Sequence, residues 1–150
     1  EYENNSTNEV HAGSLLHLFG GLLYDPAATP IQIQANLGLH YDLAVAKNAD
    51  IFFTRWPLEI LGFYELSNNF RLGGGISYHL NPEVEFEFDA YTHAESYDNA
   101  LGVVLQADYY FEHIVRYHFG GRIVVIEYDS SSSDASYDGN HIGFIASFAF

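Results

Sequence analysis

The sequence predicts an all-β fold, an antiparallel up-and-down β-barrel in which seven long strands are visible and an eighth is expected. The first observation is a strict alternation of apolar and polar residues over thirteen positions, residues 31–43. Strands of soluble domains usually have about 5–6 residues, whereas a tilted strand that crosses a bilayer needs about 9–11. The second observation is that short connections alternate with long ones, which is the layout of membrane barrels.

Seven segments of the chain carry this alternation. They are residues 10–24, 31–43, 50–66, 70–90, 101–111, 115–122 and 142–150. The first segment is the least regular, although its length fits. In 70–90 the alternation continues to the end, which places Pro82, Val84 and Phe86 on the apolar face and Glu83 and Glu85 on the polar face. A row of acids of this kind indicates a solvated face or a watery interior.

The connections between these segments predict two different ends of the barrel. Residues 25–30, 67–69 and 112–113 are short, whereas 46–50, 89–99 and 129–140 are mostly longer and more polar. The 150 residues are expected to form a single β-barrel domain, with an N-terminal stub and turn at 1–9 and a mobile acidic, Ser-rich loop at 129–140.

The strand count leaves a question about closure of the barrel. Bacterial single-chain barrels have even numbers of strands, whereas seven are visible here. If Asn4-Asn5-Ser6 is a turn, Glu1–Glu3 is the stub of a first strand, and the eighth strand is either missing or supplied in trans. Pro57 lies inside a strand and cannot donate to a ladder, which predicts a bulge or an unpaired edge there.

The composition excludes several classes of function. The chain has 20 Asp+Glu residues against 5 Lys+Arg residues, a formal charge of −15, which repels a phosphate backbone and argues against nucleic-acid binding. It has no Cys, which excludes disulfides and thiolate metal sites. The excess acid favours cations or basic partners.

The polar face of the predicted barrel carries all four arginines and several acids. An eight-stranded interior has room only for side chains, and buried charges must pair to offset their desolvation. We therefore expect an interior ion-pair core. Its members are Arg55, Glu59, Glu65, Arg71, Glu85, Asp108, Arg116 and Arg122. The alternative is a proton or ion path through the interior.

No catalytic, cofactor-binding or metal-binding residues are expected, and the chain is predicted not to be an enzyme. Glu83 and Glu85 are paired carboxylates, but nothing in the sequence places a substrate cleft beside them. The eight His residues are dispersed and lack metal-ligand spacing. Asp129, Asp134 and Asp138 do not have the spacing of an EF-hand loop, although a Ca²⁺ ion at this loop stays open as an alternative.

The outward face is predicted to carry an aromatic belt near the strand ends. Its members are Tyr41, Trp56, Tyr64, Tyr78, Tyr109, Phe119, Phe148 and Phe150. At a bilayer these rings would lie in the interfacial girdles. In a soluble assembly they would form a contact surface between subunits.

Several segments resemble the small outer-membrane β-barrel proteins of Gram-negative bacteria, of the OmpA-like eight-stranded type. They are Phe53–Leu61, Phe70–Pro82, Asp98–Tyr109 and the ending Asp138–Phe150. The resemblance implies an outer-membrane location and recognition of the terminal Phe150 by the barrel-assembly machinery. The near absence of Lys and the missing first strand depart from the pattern of this family.

Together these features predict a non-enzymatic outer-membrane barrel with a plugged polar interior and a structural or surface-interaction role. Its partners would be the lipid bilayer or neighbouring barrels through the apolar outer face. The alternative is a subunit of an extracellular polymeric assembly, in which self-association occurs through a strand shared in trans.

Overall fold

The chain folds as an all-β sheet that curls into an open half-barrel. The computed structural model describes residues 14–46, 49–88, 91–111, 116–132 and 136–149, and the side chains of 17–42, 51–86, 93–111, 117–132 and 136–148. The strands are β1 (Ser14–Tyr24), β2 (Ile31–Ala46), β3 (Ala49–Ser67), β4 (Phe70–Phe88), β5 (Tyr91–Ser96), β6 (Ala100–Phe111), β7 (Arg116–Val125), β8 (Glu127–Asp129), β9 (Ser136–Asp138) and β10 (His141–Ala149).

Seven of these strands form one antiparallel path in the order β1-β2-β3-β4-β6-β7-β10. The predicted all-β, antiparallel, barrel-like fold with seven long strands is confirmed. Because each strand of the path is antiparallel to the next, β1 and β10 run in the same direction. Cα atoms of these two edge strands come within 8 Å of each other, but no ladder joins the strands in the described residues.

The two ends of the half-barrel differ. We call the end with the connections 25–30 and 67–70 the turn end, and the other the hairpin end. At the hairpin end β5 pairs with the last part of β4, and β8 pairs with β9 in a separate hairpin. The predicted loops at 89–99 and 129–140 contain strand structure where they are described, in β5 and β9.

Alternation gives the sheet an inner face that carries the buried polar and charged residues and an outer face that is apolar, although Leu61, Phe63, Val104 and Val124 are also buried. On β2 every second residue from Gln32 to Asp42 is buried, while Ile31, Ile33 and Leu37 between them are exposed. The outer face of the other long strands is also apolar and exposed. It includes Leu58, Ile60, Leu72, Ile76, Leu101, Val103, Leu105, Ile123, Val125, Ile142 and Phe144. This polarity is the reverse of a soluble domain, in which the apolar side chains lie inside.

A bulge at Asn81 reverses the faces of the last part of β4. Thr54 pairs with Glu83 while Trp56 pairs with Leu80, so β4 has one extra residue there, and Asn81 has a positive φ of 46°. Beyond the bulge Val84 is buried and Glu83 is exposed. This corrects the expectation that the alternation of β4 continues unbroken.

Pro57 lies in the middle of the sheet, because β3 is flanked by β2 and β4. Its side chain is fully buried. The β2–β3 ladder is interrupted between the pairs Leu37–Leu58 and His40–Arg55, where the missing N–H of proline falls. The ladder is therefore irregular at Pro57, as predicted. Pro57 does not lie at an unpaired edge of the sheet, because β3 is paired on both sides.

Candidate functional site

The first buried ion pair lies near the turn end and joins Arg71 on β4 to Asp108 on β6, which face each other in the ladder. Asp108 Oδ2 lies 2.8 Å from both Arg71 Nε and Arg71 Nη2, and both side chains are fully buried. From β2, Gln32 and Gln34 accept hydrogen bonds from Arg71 Nη1 and Nη2 at 2.8 and 3.2 Å. All three guanidinium nitrogens therefore have partners, as a buried charge requires.

The second pair spans the interior between strands that are not neighbours in the sheet. Arg122 Nη2 on β7 donates a hydrogen bond to Glu59 Oε1 on β3. Ser77 Oγ donates to the same oxygen at 3.3 Å, and Asn36 Nδ2 donates to Glu59 Oε2 at 3.3 Å. The carboxylate of Glu59 thus holds four strands together inside the half-barrel.

The third pair lies toward the hairpin end and joins Arg55 to Asp42. Arg55 Nη1 donates to Asp42 Oδ2 at 2.7 Å, and His40 Nε2 lies 3.3 Å from Asp42 Oδ1. The guanidinium also lies over the ring of Phe53, with 4.5 Å between Arg55 Cζ and the ring centroid. Each of the three buried arginines therefore has one buried carboxylate partner.

Three histidines that are far apart in the sequence meet beside the third pair. His17 on β1 stacks on His40 with 5.0 Å between ring centroids, and His141 on β10 meets His40 edge-on at 5.1 Å. We call His17, His40 and His141 the imidazole cluster. Sequence spacing gave no sign of it, because the curl of the sheet brings β1, β2 and β10 together. Among the described residues no group of three or more His, Asp or Glu side chains is arranged to hold a metal ion.

Most of the predicted interior core is present inside the half-barrel. Arg55, Glu59, Arg71, Asp108 and Arg122 are buried there, and the partly buried Glu65 accepts hydrogen bonds from Gln32 Nε2 at 2.8 Å and Tyr110 Oη at 3.0 Å. The structure does not bring Glu85 to this core, because the bulge at Asn81 turns it to the face opposite the buried Val84. The side chain of Arg116 lies outside the described residues.

The predicted aromatic belt lies on the outer face where it is described. Trp56, Tyr64, Tyr78, Tyr109, Phe119 and Phe148 are exposed, and Tyr41 is half-buried. Phe150 lies outside the described residues.

Several interior polar residues were not among the predicted members of the core. They are Gln32, Gln34, Asn36, His40, Ser77 and Gln106. The sequence signal that could have found them is their position on the same alternating face as the arginines. A search for charges of opposite sign passes over amide, imidazole and hydroxyl partners.

A tyrosine cluster covers the interior at the hairpin end. Tyr128 is fully buried, its hydroxyl lies 2.5 Å from His79 Nδ1, and its ring meets Phe53 edge-on. Tyr97 and Tyr137 pack around the same ring of Phe53. Burial raises the pKa of Tyr97, Tyr128 and Tyr137, because an apolar environment disfavours the phenolate.

We expect the buried tyrosines to make the folded protein less stable at alkaline pH. In the unfolded chain a tyrosine ionises at about pH 10. In the folded protein the pKa of Tyr128 is raised, so its phenol is still neutral at that pH. The stability from the buried phenols is therefore fully present below about pH 10 and is lost as the pH rises through their folded pKa. Phenolate absorbance should show a late-ionising phase that Tyr128→Phe reduces and that substitution of the exposed Tyr24 leaves unchanged; Tyr97 and Tyr137 account for the remainder. If the two variants gave the same absorbance titration curve, Tyr128 would not be a buried, late-ionising tyrosine.

The buried acids are all held by arginines of other strands. Asp42, Glu59 and Asp108 each accept hydrogen bonds from an arginine that has no access to solvent or almost none. Each of these hydrogen bonds joins a carboxylate to an arginine on a different strand, and together they hold the interior together.

The fold and the interior together define a class: a barrel-like antiparallel sheet with an apolar exterior and an ion-paired polar interior. No family model matches the chain, and neither a curated protein nor a solved structure shows significant similarity to it.

Proposed function

We propose that this chain is a non-enzymatic β-barrel protein of the outer membrane, with a plugged polar interior and a structural or surface-interaction role. The observation that carries the proposal is the inverted polarity of the sheet. Leu105 is 60% exposed and Phe144 99% exposed, whereas Arg71 and Asp108 have no exposure at all. An apolar surface of this extent on a soluble monomer would be costly, but it is the surface that hydrocarbon favours.

The strand lengths support the same assignment. Strands β3 and β4 each have 19 residues and β6 has 12, lengths that match or exceed the about 9–11 residues needed to cross a bilayer. The described residues contain no helix that is long and apolar enough to cross a membrane. The resemblance of the sequence to small outer-membrane barrels agrees with this location.

The interior supports a plug rather than a pore. Arg122 reaches from β7 to Glu59 on β3, and Arg71 reaches from β4 to the glutamines of β2. These side chains cross the space that ions would need. The function would therefore lie at the surface of the barrel.

The hairpin end would provide that surface, because its described charges are nearly all negative. Glu83, Asp98, Glu127, Asp129 and Asp138 are exposed there. The three described arginines are buried in the interior and leave the acids of the surface uncompensated. This end would meet cations or basic partners and repel nucleic acid.

The solubility and particle size of the protein with and without detergent test the bilayer assignment. We expect the chain to precipitate in detergent-free buffer and to form a single small species in micelles, as judged by light scattering and negative-stain microscopy. In lipid vesicles it should fold without adding ion conductance. A monodisperse monomer without detergent would refute the membrane assignment, and steady conductance would refute the plug.

A second candidate, a subunit of an extracellular polymer, is favoured by the two edge strands. Strands β1 and β10 are each paired on one side only among the described strands, and free edges are templates for pairing between chains. In this arrangement the apolar face would pack against neighbouring barrels, and a strand would be shared in trans. Ordered soluble polymers in detergent-free buffer would favour this candidate over the bilayer barrel.

A further inference from the structure

The two edges of the open half-barrel approach each other in a region that we call the seam, between β1 and β10. The strands run in the same direction, and their Cα atoms come within 8 Å without forming a ladder. Side chains must therefore contribute to holding the edges together where backbone hydrogen bonds do not.

The imidazole cluster lies across this seam. His17 belongs to one edge strand and His141 to the other, and His40 contacts both rings. Arg122 on β7 adds a link, because its Nη1 lies 3.5 Å from Nδ1 of His17. These contacts connect β1 and β2 on one side of the seam to β7 and β10 on the other.

The charges around the cluster are balanced only while the imidazoles are neutral. Arg122 is matched by Glu59, and Arg55 is matched by Asp42. The titratable and charged groups that face the cluster come from every packed element. They are His40 and Asp42 on β2, Arg55 and Glu59 on β3, His79 on β4, Arg122 on β7, Tyr128 on β8 and His141 on β10. Both carboxylates are already paired with guanidinium groups.

We propose that the imidazole cluster is a pH-sensitive latch, which holds the seam closed while its rings are neutral and opens it when they take up protons.

A proton on any ring has two effects at this place. It adds a positive charge next to Arg55 or Arg122. Asp42 Oδ1, 3.3 Å from His40 Nε2, offsets part of this charge at His40, but the other oxygen of the same carboxylate is already paired with Arg55. The proton also turns a ring nitrogen that can accept a hydrogen bond into a donor. Two buried nitrogen atoms at this place, His17 Nε2 and Arg122 Nε, already have no hydrogen-bond partner among the described residues, so a further donor would add to this cost. Separation of β1 from β10 lets water reach the charged rings. Water then screens the added charge and accepts the hydrogen bond of the new donor.

Spin-label distances test the latch directly, because the chain has no native cysteine. The reporter pair is Leu18→Cys with Ile142→Cys, two exposed outward positions that directly follow His17 and His141. The control pair is Leu105→Cys with Ile123→Cys, which face each other across the β6–β7 ladder. Distances are measured in micelles at about pH 8 and about pH 4.5, on either side of the ordinary histidine range.

We expect the seam distance to lengthen and broaden at the lower pH while the control distance stays unchanged. The change should be abolished by His17→Phe with His141→Phe, and reduced by the milder His141→Gln, which keeps a polar side chain without a titrating one. A constant seam distance would overturn the latch, and so would equal lengthening of both pairs, which indicates general acid unfolding. The latch does not depend on the bilayer assignment, since the same distances can be measured in buffer if the chain is soluble there.

Discussion

Replacement of Arg71 with alanine is expected to lower the free energy of unfolding by about 3–5 kcal/mol, the cost of breaking a buried ion pair from one side. Asp108 would remain fully buried, and Gln106 Nε2 would still donate a hydrogen bond to it at 3.0 Å. Gln32 and Gln34 would also lose the guanidinium donor that their side-chain oxygens accept from. Denaturant titration of the protein refolded in micelles measures this change.

The matched control is the double variant Arg71→Ala with Asp108→Ala, because it removes both charges of the pair. We expect its destabilisation to be smaller than the sum of the two single variants, since no uncompensated charge remains in the interior. Additive effects would mean that the two side chains do not interact. A loss below about 1 kcal/mol for Arg71→Ala would place this arginine in solvent, where ion pairs contribute little.

The sequence predicts the two faces of the sheet because the side-chain period of a strand is fixed by backbone geometry. Arg55, Arg71 and Arg122 alternate with apolar neighbours, and the structure buries all three. The pairing of Arg71 with Asp108 also follows from simple antiparallel register between neighbouring strands. Local pattern was sufficient for these features, since each involves one strand or two adjacent strands.

The sequence could not predict what depends on curvature or on a one-residue irregularity. Glu59 and Arg122 are 63 residues apart and lie on strands that are not neighbours, so only the curl of the sheet brings them together. The imidazole cluster has the same origin. The extra residue at Asn81 reverses every later side chain of β4, which is why Glu85 was assigned to the wrong face.

The substitution Leu105→Arg is expected to destabilise the protein in lipid by about 2–4 kcal/mol, the cost of an arginine near the middle of a bilayer. Leu105 lies in the middle of β6, faces outward and is flanked by the exposed Val103. A guanidinium there would have no carboxylate directly opposite it, because its ladder partners are Gly74 and Ile123. Reversible unfolding from lipid vesicles, followed by tryptophan fluorescence of Trp56, measures the change.

The control for this variant is Asp129→Arg, which also adds a guanidinium but places it at the exposed hairpin end. A bilayer predicts a large cost at position 105 and almost none at position 129, because the penalty falls toward the interface. A soluble polymer predicts a different result, in which Leu105→Arg leaves the fold of each subunit intact and disrupts assembly instead. If Leu105→Arg costs no more than Asp129→Arg in lipid, the outer face of β6 does not contact hydrocarbon.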